Sequence, residues 1–264
     1  MHLWQPLAVN YLLSMSTNIV LLTVCFFSIA LIYSSAGFGG GSSYLALLAQ
    51  PMFMLSQPEI KSAALLCNIV VVTGGTIIFY REGKLQWRDC WPYMLASVPL
   101  AYAGGYWKLA DQVFFILLGA ALIVAAVLLW LQPRSNGAAI AARMHAKLLL
   151  GGSIGLLSGL VSIGGGIFLS PALHFLQWLD ARRIAALASA FILVNSVGGL
   201  AGMFQRGAPL MPVMWLLPLL VAVFAGGQIG SRLGAKKFNL LYLKRITACI
   251  IAVAGINILI DRLW

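Results

Sequence analysis

Two glycine triplets, Gly39-Gly40-Gly41 and Gly164-Gly165-Gly166, interrupt apolar stretches and are flanked by serines. Glycine lets neighbouring backbone N–H groups turn toward one point. A helix that begins directly afterwards adds its free N–H groups and the positive end of its dipole. Each break therefore predicts a site for a small oxyanion, held without a full positive charge. The candidate binding residues of the breaks are Ser34, Ser35, Gly37, Gly39, Gly40, Gly41, Ser42, Ser43, Ser158, Ser162, Gly164, Gly165 and Gly166.

Two asparagines, Asn68 and Asn195, follow the triplets at equivalent positions within apolar segments. Ser62-Ala63 precedes Asn68 by the same spacing as Ser189-Ala190 precedes Asn195. One interpretation is that both amides face the anion site. The other is that each makes a hydrogen bond between helices. We add both asparagines to the candidate binding residues.

The triplets belong to a longer internal repeat. Phe79-Tyr80-Arg81-Glu82-Gly83 corresponds to Phe204-Gln205-Arg206-Gly207, and Gly104-Gly105 corresponds to Gly226-Gly227. The chain is therefore duplicated, with a glycine break at matching positions of its two halves. In transporters, that arrangement is a sequence indicator of the substrate site.

Composition places the whole repeat in a membrane. The 264 residues are 61% hydrophobic and 9% charged, whereas soluble domains carry about 25% charged residues. The net charge of +11 comes from short clusters between apolar runs, which is typical of cytoplasmic loops and unlike a nucleic-acid-binding face. We predict an all-α polytopic membrane protein. The expected apolar segments are 17–36, 43–56, 62–80, 91–107, 112–131, 146–162, 167–179, 184–205, 211–230 and 243–260.

Positive charge distinguishes a kink from a hairpin at each break. If each break is a hairpin tip, thirteen of the 17 basic residues fall on one side of the membrane and four on the other. A kink would divide them almost equally. The positive-inside rule favours hairpins, which places both termini outside the cytoplasm.

Each half then has five segments, so the two halves insert in opposite orientations. We expect one transmembrane domain over 1–264, with repeat one at about 17–131, a cytoplasmic linker at about 132–142 and repeat two at about 143–264. The arm after each tip has about 13 residues and reaches about 20 Å, less than the roughly 30 Å of hydrocarbon. The two tips should therefore meet near the midplane, as in alternating-access carriers.

Other glycines are spaced by four and predict close helix packing instead of binding. These are Gly151, Gly155 and Gly159 in one set, and Gly226, Gly230 and Gly234 in the other.

His174 follows the second break and has no counterpart after the first. It is a candidate for proton coupling, with a neutral, hydrogen-bonded histidine as the alternative. Ser158 with His174 would also suit an intramembrane serine–histidine enzyme, but the glycine site is duplicated and the histidine is not. With no phosphate-binding loop and no paired cysteines, we expect no enzyme activity, metal or cofactor. The expected partners are a small anion, the lipid bilayer, and protons or another coupling ion. A non-transporting membrane scaffold is a further alternative.

The duplicated breaks, Ala36-Gly37-Phe38-Gly39-Gly40-Gly41 and 158–166, resemble those of the sulfite exporter TauE/SafE family of membrane permeases. The resemblance extends over nearly the whole chain, including the Ser-Ala…Asn and Gly-Gly elements. It implies an inner-membrane secondary transporter for a sulfur-containing anion, such as sulfite, sulfoacetate or a related organosulfur compound, with export as the expected direction. Uptake of another small solute is the alternative.

Overall fold

The computed structural model describes residues 5–133, 142–234 and 240–263, and helices dominate these ranges. The predicted linker at 132–142 lies mostly outside the described residues. The helices are α1 (Gln5–Ser35), α2 (Gly41–Leu48), α3 (Gln57–Arg81), α4 (Trp87–Tyr106), α5 (Asp111–Leu131), α6 (Met144–Val161), α7 (Gly166–Leu176), α8 (Ala181–Gln205), α9 (Val213–Gly234) and α10 (Leu240–Leu263). Each predicted segment corresponds to one of them, so the all-helical prediction is confirmed.

The segment boundaries differ most from the prediction at two places. Helix α1 starts at Gln5, well before position 17, because Pro6 falls in its first turn, where proline is tolerated. The arm after the first tip ends as a helix at Leu48. Pro51 restricts the residue before it to extended backbone, and Gln50 has φ −64° and ψ 133°. The predicted 13-residue arm is therefore an eight-residue helix followed by a 3-10 turn.

The lengths of α2 and α7 are those expected of helices that extend only part of the way through the membrane. Among the described residues, five helices, α3, α5, α6, α8 and α9, are long and apolar enough to span a membrane. Helices α2 and α7, with 8 and 11 residues, extend about 12 and 16 Å at 1.5 Å per residue. Neither crosses the roughly 30 Å hydrocarbon layer by itself.

Helices of one half pack on the other half in a reciprocal way. Helix α4 packs on α6 and α8, while its repeat equivalent α9 packs on α1 and α3. A Cβ on Gly104 would lie 2.7 Å from the carbonyl oxygen of Leu156 in α6. A Cβ on Gly226 would lie 2.4 Å from the carbonyl oxygen of Phe27 in α1. The two halves are thus interlocked, and their opposite orientation in a bilayer stays a prediction.

The packing glycines lie where helix backbones touch. A Cβ on Gly151, Gly155 or Gly159 of α6 would come within 2.1 to 2.7 Å of α4 backbone atoms. The corresponding α4 residues are Tyr93, Ser97 and Ala101. Gly226 and Gly230 of α9 meet the backbone of α1 in the same way. The side-chain environment of Gly234 lies outside the described part.

Candidate functional site

The two glycine breaks are tight turns that share two left-handed positions and differ at a third, since Gly164 (φ 89°) is left-handed and its equivalent Gly39 is not. Gly37 (φ 80°) and Ser162 (φ 65°) are equivalent in the repeat and both are left-handed. Gly40 (φ 87°) and Gly165 (φ 80°) follow three residues later, also left-handed, and directly precede α2 and α7. We call 37–40 and 162–165 the first and second tips. A left-handed serine costs about 1–3 kcal/mol, a strain that concentrates at functional sites.

Helices α2 and α7 begin without a side-chain cap. Neither Gly40 nor Gly165 offers a capping side chain, and the first four N–H groups of a helix have no partner within it. Both helix starts are buried, from Gly41 through Tyr44 and from Gly166 through Leu169. Two positive helix ends therefore face the protein interior beside the tips.

The tips contact one another across the two halves, and Asn68 of α3 lies between them. A Cβ on Gly41 would lie 2.7 Å from the carbonyl oxygen of Ile163. The Asn68 side-chain nitrogen donates to that same oxygen at 3.1 Å. A Cβ on Gly39 would lie 2.4 Å from Asn68 Oδ1, and one on Gly164 would lie 2.8 Å from its Nδ2. Only glycine gives this amide enough room at both tips.

A small cavity remains between the tips. It is lined by the chain from Phe38 to Ser42, by Tyr33, and by Ile163, Ile167 and Ile192. Its volume of about 10 Å³ is about what one water molecule requires. No lysine or arginine of the described chain lines it. The tips are therefore closed, and an oxyanion needs them to separate.

Several buried polar atoms near the second tip have no hydrogen-bond partner among the described residues. They are Ser158 Oγ, Ser162 Oγ, Ser196 Oγ and Asn68 Oδ1. A Cβ on Gly165 would lie 3.3 Å from Ser158 Cβ. A Cβ on Gly164 would lie 3.3 Å from Ser196 Oγ. Buried polar groups are normally paired, so this concentration of unpaired ones indicates a place for a polar ligand or water.

The candidate serines of the first break divide into two groups. Ser34 Oγ and Ser35 Oγ donate back to carbonyls of their own helix, those of Leu31 and Ile32. Ser42 and Ser43 are buried in the first turn of α2, where Ser42 lines the cavity and Ser43 is hydrogen-bonded to Tyr33. The structure thus brings Ser42 to the cavity, bonds Ser43 to Tyr33 beside it, and leaves the hydroxyls of Ser34 and Ser35 bonded within α1.

The two asparagines are not in equivalent environments. Asn68 contacts the opposite tip, whereas Asn195 Oδ1 accepts a hydrogen bond from Ser97 of α4 at 2.8 Å. The neighbouring Ser196 faces the second tip. The Oδ1 of Asn195 therefore makes a hydrogen bond between helices, which is the alternative to facing the anion site.

His174 lies at the far end of α7, buried at 4% exposure. It is nine residues beyond Gly165, about 13 Å along the helix axis, while Ser158 lies beside Gly165. A nucleophile and its base need hydrogen-bond contact. The structure thus does not pair Ser158 with His174.

The sequence did not mark three residues that the structure makes candidates. Tyr33 and Ser196 lie near the tips, and Lys61 lies at the start of α3. Tyr33 and Ser196 had no repeat partner of the same type to mark them. Lys61 was counted only among the 17 basic residues that indicate sidedness. Its complete burial distinguishes it from the others that the structure describes. An ionisable residue inside an apolar segment is the signal that points to it.

Comparison with known proteins identifies the family of the chain. The model of the family described as sulfite exporter TauE/SafE matches residues 21–258. The probable membrane transporter protein y4hK of Sinorhizobium fredii is 32% identical over 252 residues, which are 93% of this chain and 100% of that protein. The probable membrane transporter protein MJ0441 of Methanocaldococcus jannaschii is 23% identical, over 91% of this chain and 95% of its own.

A longer relative matches over part of its length. The probable membrane transporter protein MamO of Magnetospirillum gryphiswaldense is 26% identical over 76% of this chain and 38% of its own length. No solved structure matches the chain. The match over most of the chain shows that this multi-pass protein belongs to the sulfite exporter TauE/SafE family of membrane transporters.

Proposed function

We propose that this protein is a secondary carrier that exports a small sulfur-containing oxyanion, such as sulfite, sulfoacetate or a related organosulfur compound. The observation that carries the proposal is the pair of uncapped, buried helix starts beside two touching tips. The family name gives the substrate class and direction. The site gives the reason why an anion would bind.

The chemistry of the tips suits an oxyanion. Helix starts each carry roughly half a positive charge, so two of them offset about one negative charge. The hydroxyls of Ser158, Ser162 and Ser196 supply further donors in a buried setting. Since no lysine or arginine of the described chain lines the cavity, the ion is held by dipoles and hydrogen bonds, which favours release as well as binding.

The contacts of the short helices suggest how the site opens. Helix α2 packs on α3 of its own half and on α10 of the other, and α7 packs on α8 and α5. Each tip is therefore tied to both halves. Rocking of one half against the other would separate the tips and open the 10 Å³ cavity to one side of the membrane at a time, as in alternating access.

The proposal is tested by thermal unfolding of the detergent-purified protein with sulfite, sulfate, thiosulfate, sulfoacetate, taurine or chloride. A ligand at 100 times its Kd stabilises the folded state by about 2.7 kcal/mol. We expect one sulfur oxyanion to raise the Tm selectively. The same ion should then leave reconstituted vesicles when the protein is present.

The matched variants are Gly39→Ala and Gly199→Ala. A Cβ on Gly39 would overlap Asn68, whereas one on Gly199 finds only ordinary contacts of 3.6 Å and more. The Tm shift should disappear in the first and remain in the second. No shift with any of these anions at millimolar concentration would contradict the anion proposal and favour uptake of another solute or a scaffold role.

A further inference from the structure

Lys61 is a lysine buried in the body of the protein. It is the fifth residue of α3 and its side chain has 0% exposure. Its Nζ has no hydrogen-bond partner among the described residues and lies 5.6 Å from the centre of the Phe114 ring. The ring face favours the charged ammonium, but it leaves all three N–H donors unused.

No carboxylate neutralises this ammonium in the described part of the chain. The ion pairs found there both belong to Arg183, which contacts Asp89 and Asp180. Glu59, two residues before Lys61, is held by the capping box at the start of α3. A buried charge without a counterion is strongly unfavourable, and ionisable residues inside a membrane domain usually serve function.

A second cation lies in the loop that packs on the start of α3. It is Arg206, directly after α8, and its guanidinium donates to the carbonyl of Trp107 at 3.0 Å. The same loop reaches α3 directly, because the Met211 N–H donates to Ser62 Oγ at 3.1 Å. Lys61 therefore lies beneath a loop that carries another positive charge.

Lys61 is also aligned with the tips. It precedes Asn68 by seven residues, so both lie on one face of α3 about 10 Å apart along its axis. The repeat places Ala188 at the equivalent position of the second half, since Ser62 corresponds to Ser189. Among the described residues, the buried lysine therefore lies at one end of α3, the end that the charge pattern predicts to be non-cytoplasmic.

We propose that Lys61, with Arg206 beside it, forms a second anion-binding site on the route between the tips and the non-cytoplasmic side. Its ligand is a small oxyanion, which supplies the missing counterion when the loop at 206–212 lifts from Ser62. The nature of the ligand rests on the proposed function. Because the equivalent position of the second half is Ala188, the site makes the two halves of the carrier different, whereas the glycine tips are present in both.

The test compares Lys61→Met, Lys61→Arg and, as the matched control, Lys108→Met, which removes the same charge from an exposed position. In vesicles, the KM for sulfite should rise about tenfold in Lys61→Met, the loss of one charge-assisted contact. It should stay near wild type in the other two. Without ligand, Lys61→Met should have a raised Tm, because an apolar side chain replaces an unpaired buried charge. An unchanged KM in Lys61→Met would overturn the proposal.

Sulfite-induced Tm shifts in Lys61→Met and Asn68→Ala separate this site from the tips. A shift that shrinks in each single variant and vanishes in the double variant supports two sites. A shift lost in Asn68→Ala but intact in Lys61→Met overturns the Lys61 site and leaves the proposed function standing. The reverse result supports the Lys61 site and removes the tips from substrate binding.

The phosphate of an anionic lipid is the other source of an oxyanion. The KM comparison is therefore made in vesicles of phosphatidylcholine alone and again with phosphatidylglycerol added. We expect the effect of Lys61→Met in both. An effect confined to the vesicles with phosphatidylglycerol would overturn the proposal, because Lys61 would then serve a lipid headgroup.

Discussion

Asn68 of α3 donates its side-chain amide to the carbonyl oxygen of Ile163 at 3.1 Å, so a helix of the first half holds the tip of the second. The equivalent asparagine, Asn195, bonds to Ser97 of α4 instead. The repeat is thus broken at the tips, and one asparagine links them. Because the tips must separate to admit an ion, this bond would be made and broken during transport.

The first prediction concerns this link. Asn68→Ala should reduce sulfite efflux about a hundredfold while costing about 1–2 kcal/mol of stability, the value of one buried hydrogen bond. The matched control is Ser97→Ala, which removes the other asparagine bond between helices and should cost similar stability with efflux retained. Efflux and stability are measured on the same reconstituted samples. Equal efflux per folded molecule in the two variants would remove Asn68 from the site.

The second prediction separates binding from stability on one helix. Ser196 Oγ has no partner among the described residues, so Ser196→Ala should leave the Tm unchanged and weaken anion binding about tenfold. Ser189 of the same helix bonds to Thr76 Oγ1 and the Val72 carbonyl. Ser189→Ala should therefore lower the Tm and leave the Kd unchanged. A Kd for Ser196→Ala equal to that of wild type would show that its hydroxyl does not meet the ion.

The helices could be predicted from the sequence because apolar length and composition decide them. Runs near 20 residues without charges mark the long helices, and a glycine triplet followed by a short run marks α2 and α7. The four-residue spacing of Gly151, Gly155 and Gly159 predicted their backbone contacts with α4. These features are local in the chain, so a single sequence contains them.

The pairing of side chains across the two halves could not be predicted in the same way. A serine or asparagine in an apolar helix satisfies its hydrogen bonds with whichever backbone is near, and the packing angle decides which that is. Asn68 and Asn195 occupy equivalent positions in the repeat. Because the packing around them differs, Asn68 bonds to the second tip and Asn195 bonds to Ser97. The sequence shows a lysine at position 61 near an apolar segment. Whether its ammonium has a counterion depends on how the helices pack, which the sequence does not show.

The third prediction concerns the space at the tips. Gly39 does not need a left-handed backbone, so Gly39→Ala tests crowding alone, unlike changes at Gly40 or Gly165. Its Cβ would lie 2.4 Å from Asn68 Oδ1, which should displace the amide and abolish efflux. Restoring room with the double variant Gly39→Ala/Asn68→Ser should recover part of the stability but little transport. A Gly39→Ala protein with efflux like that of wild type would show that the tips tolerate a methyl group.

The fourth prediction concerns the orientation of the halves. Glu82 and Pro209 lie in equivalent exposed turns, each beside a left-handed glycine, Gly83 (φ 67°) and Gly207 (φ 70°). If the halves insert in opposite orientations, the two turns lie on opposite sides of the membrane. The positive-inside rule places Glu82 in the cytoplasm.

Single cysteines at these two positions measure that orientation. The background lacks the native Cys25 and Cys249, since Cys67 and Cys90 are buried. A membrane-impermeant maleimide added to intact cells should label Pro209→Cys and leave Glu82→Cys unlabelled until the membrane is opened. Labelling of both from outside would mean that the halves share one orientation. The two positive helix ends would then approach the tips from the same side, and rocking of inverted halves would no longer describe how the site opens.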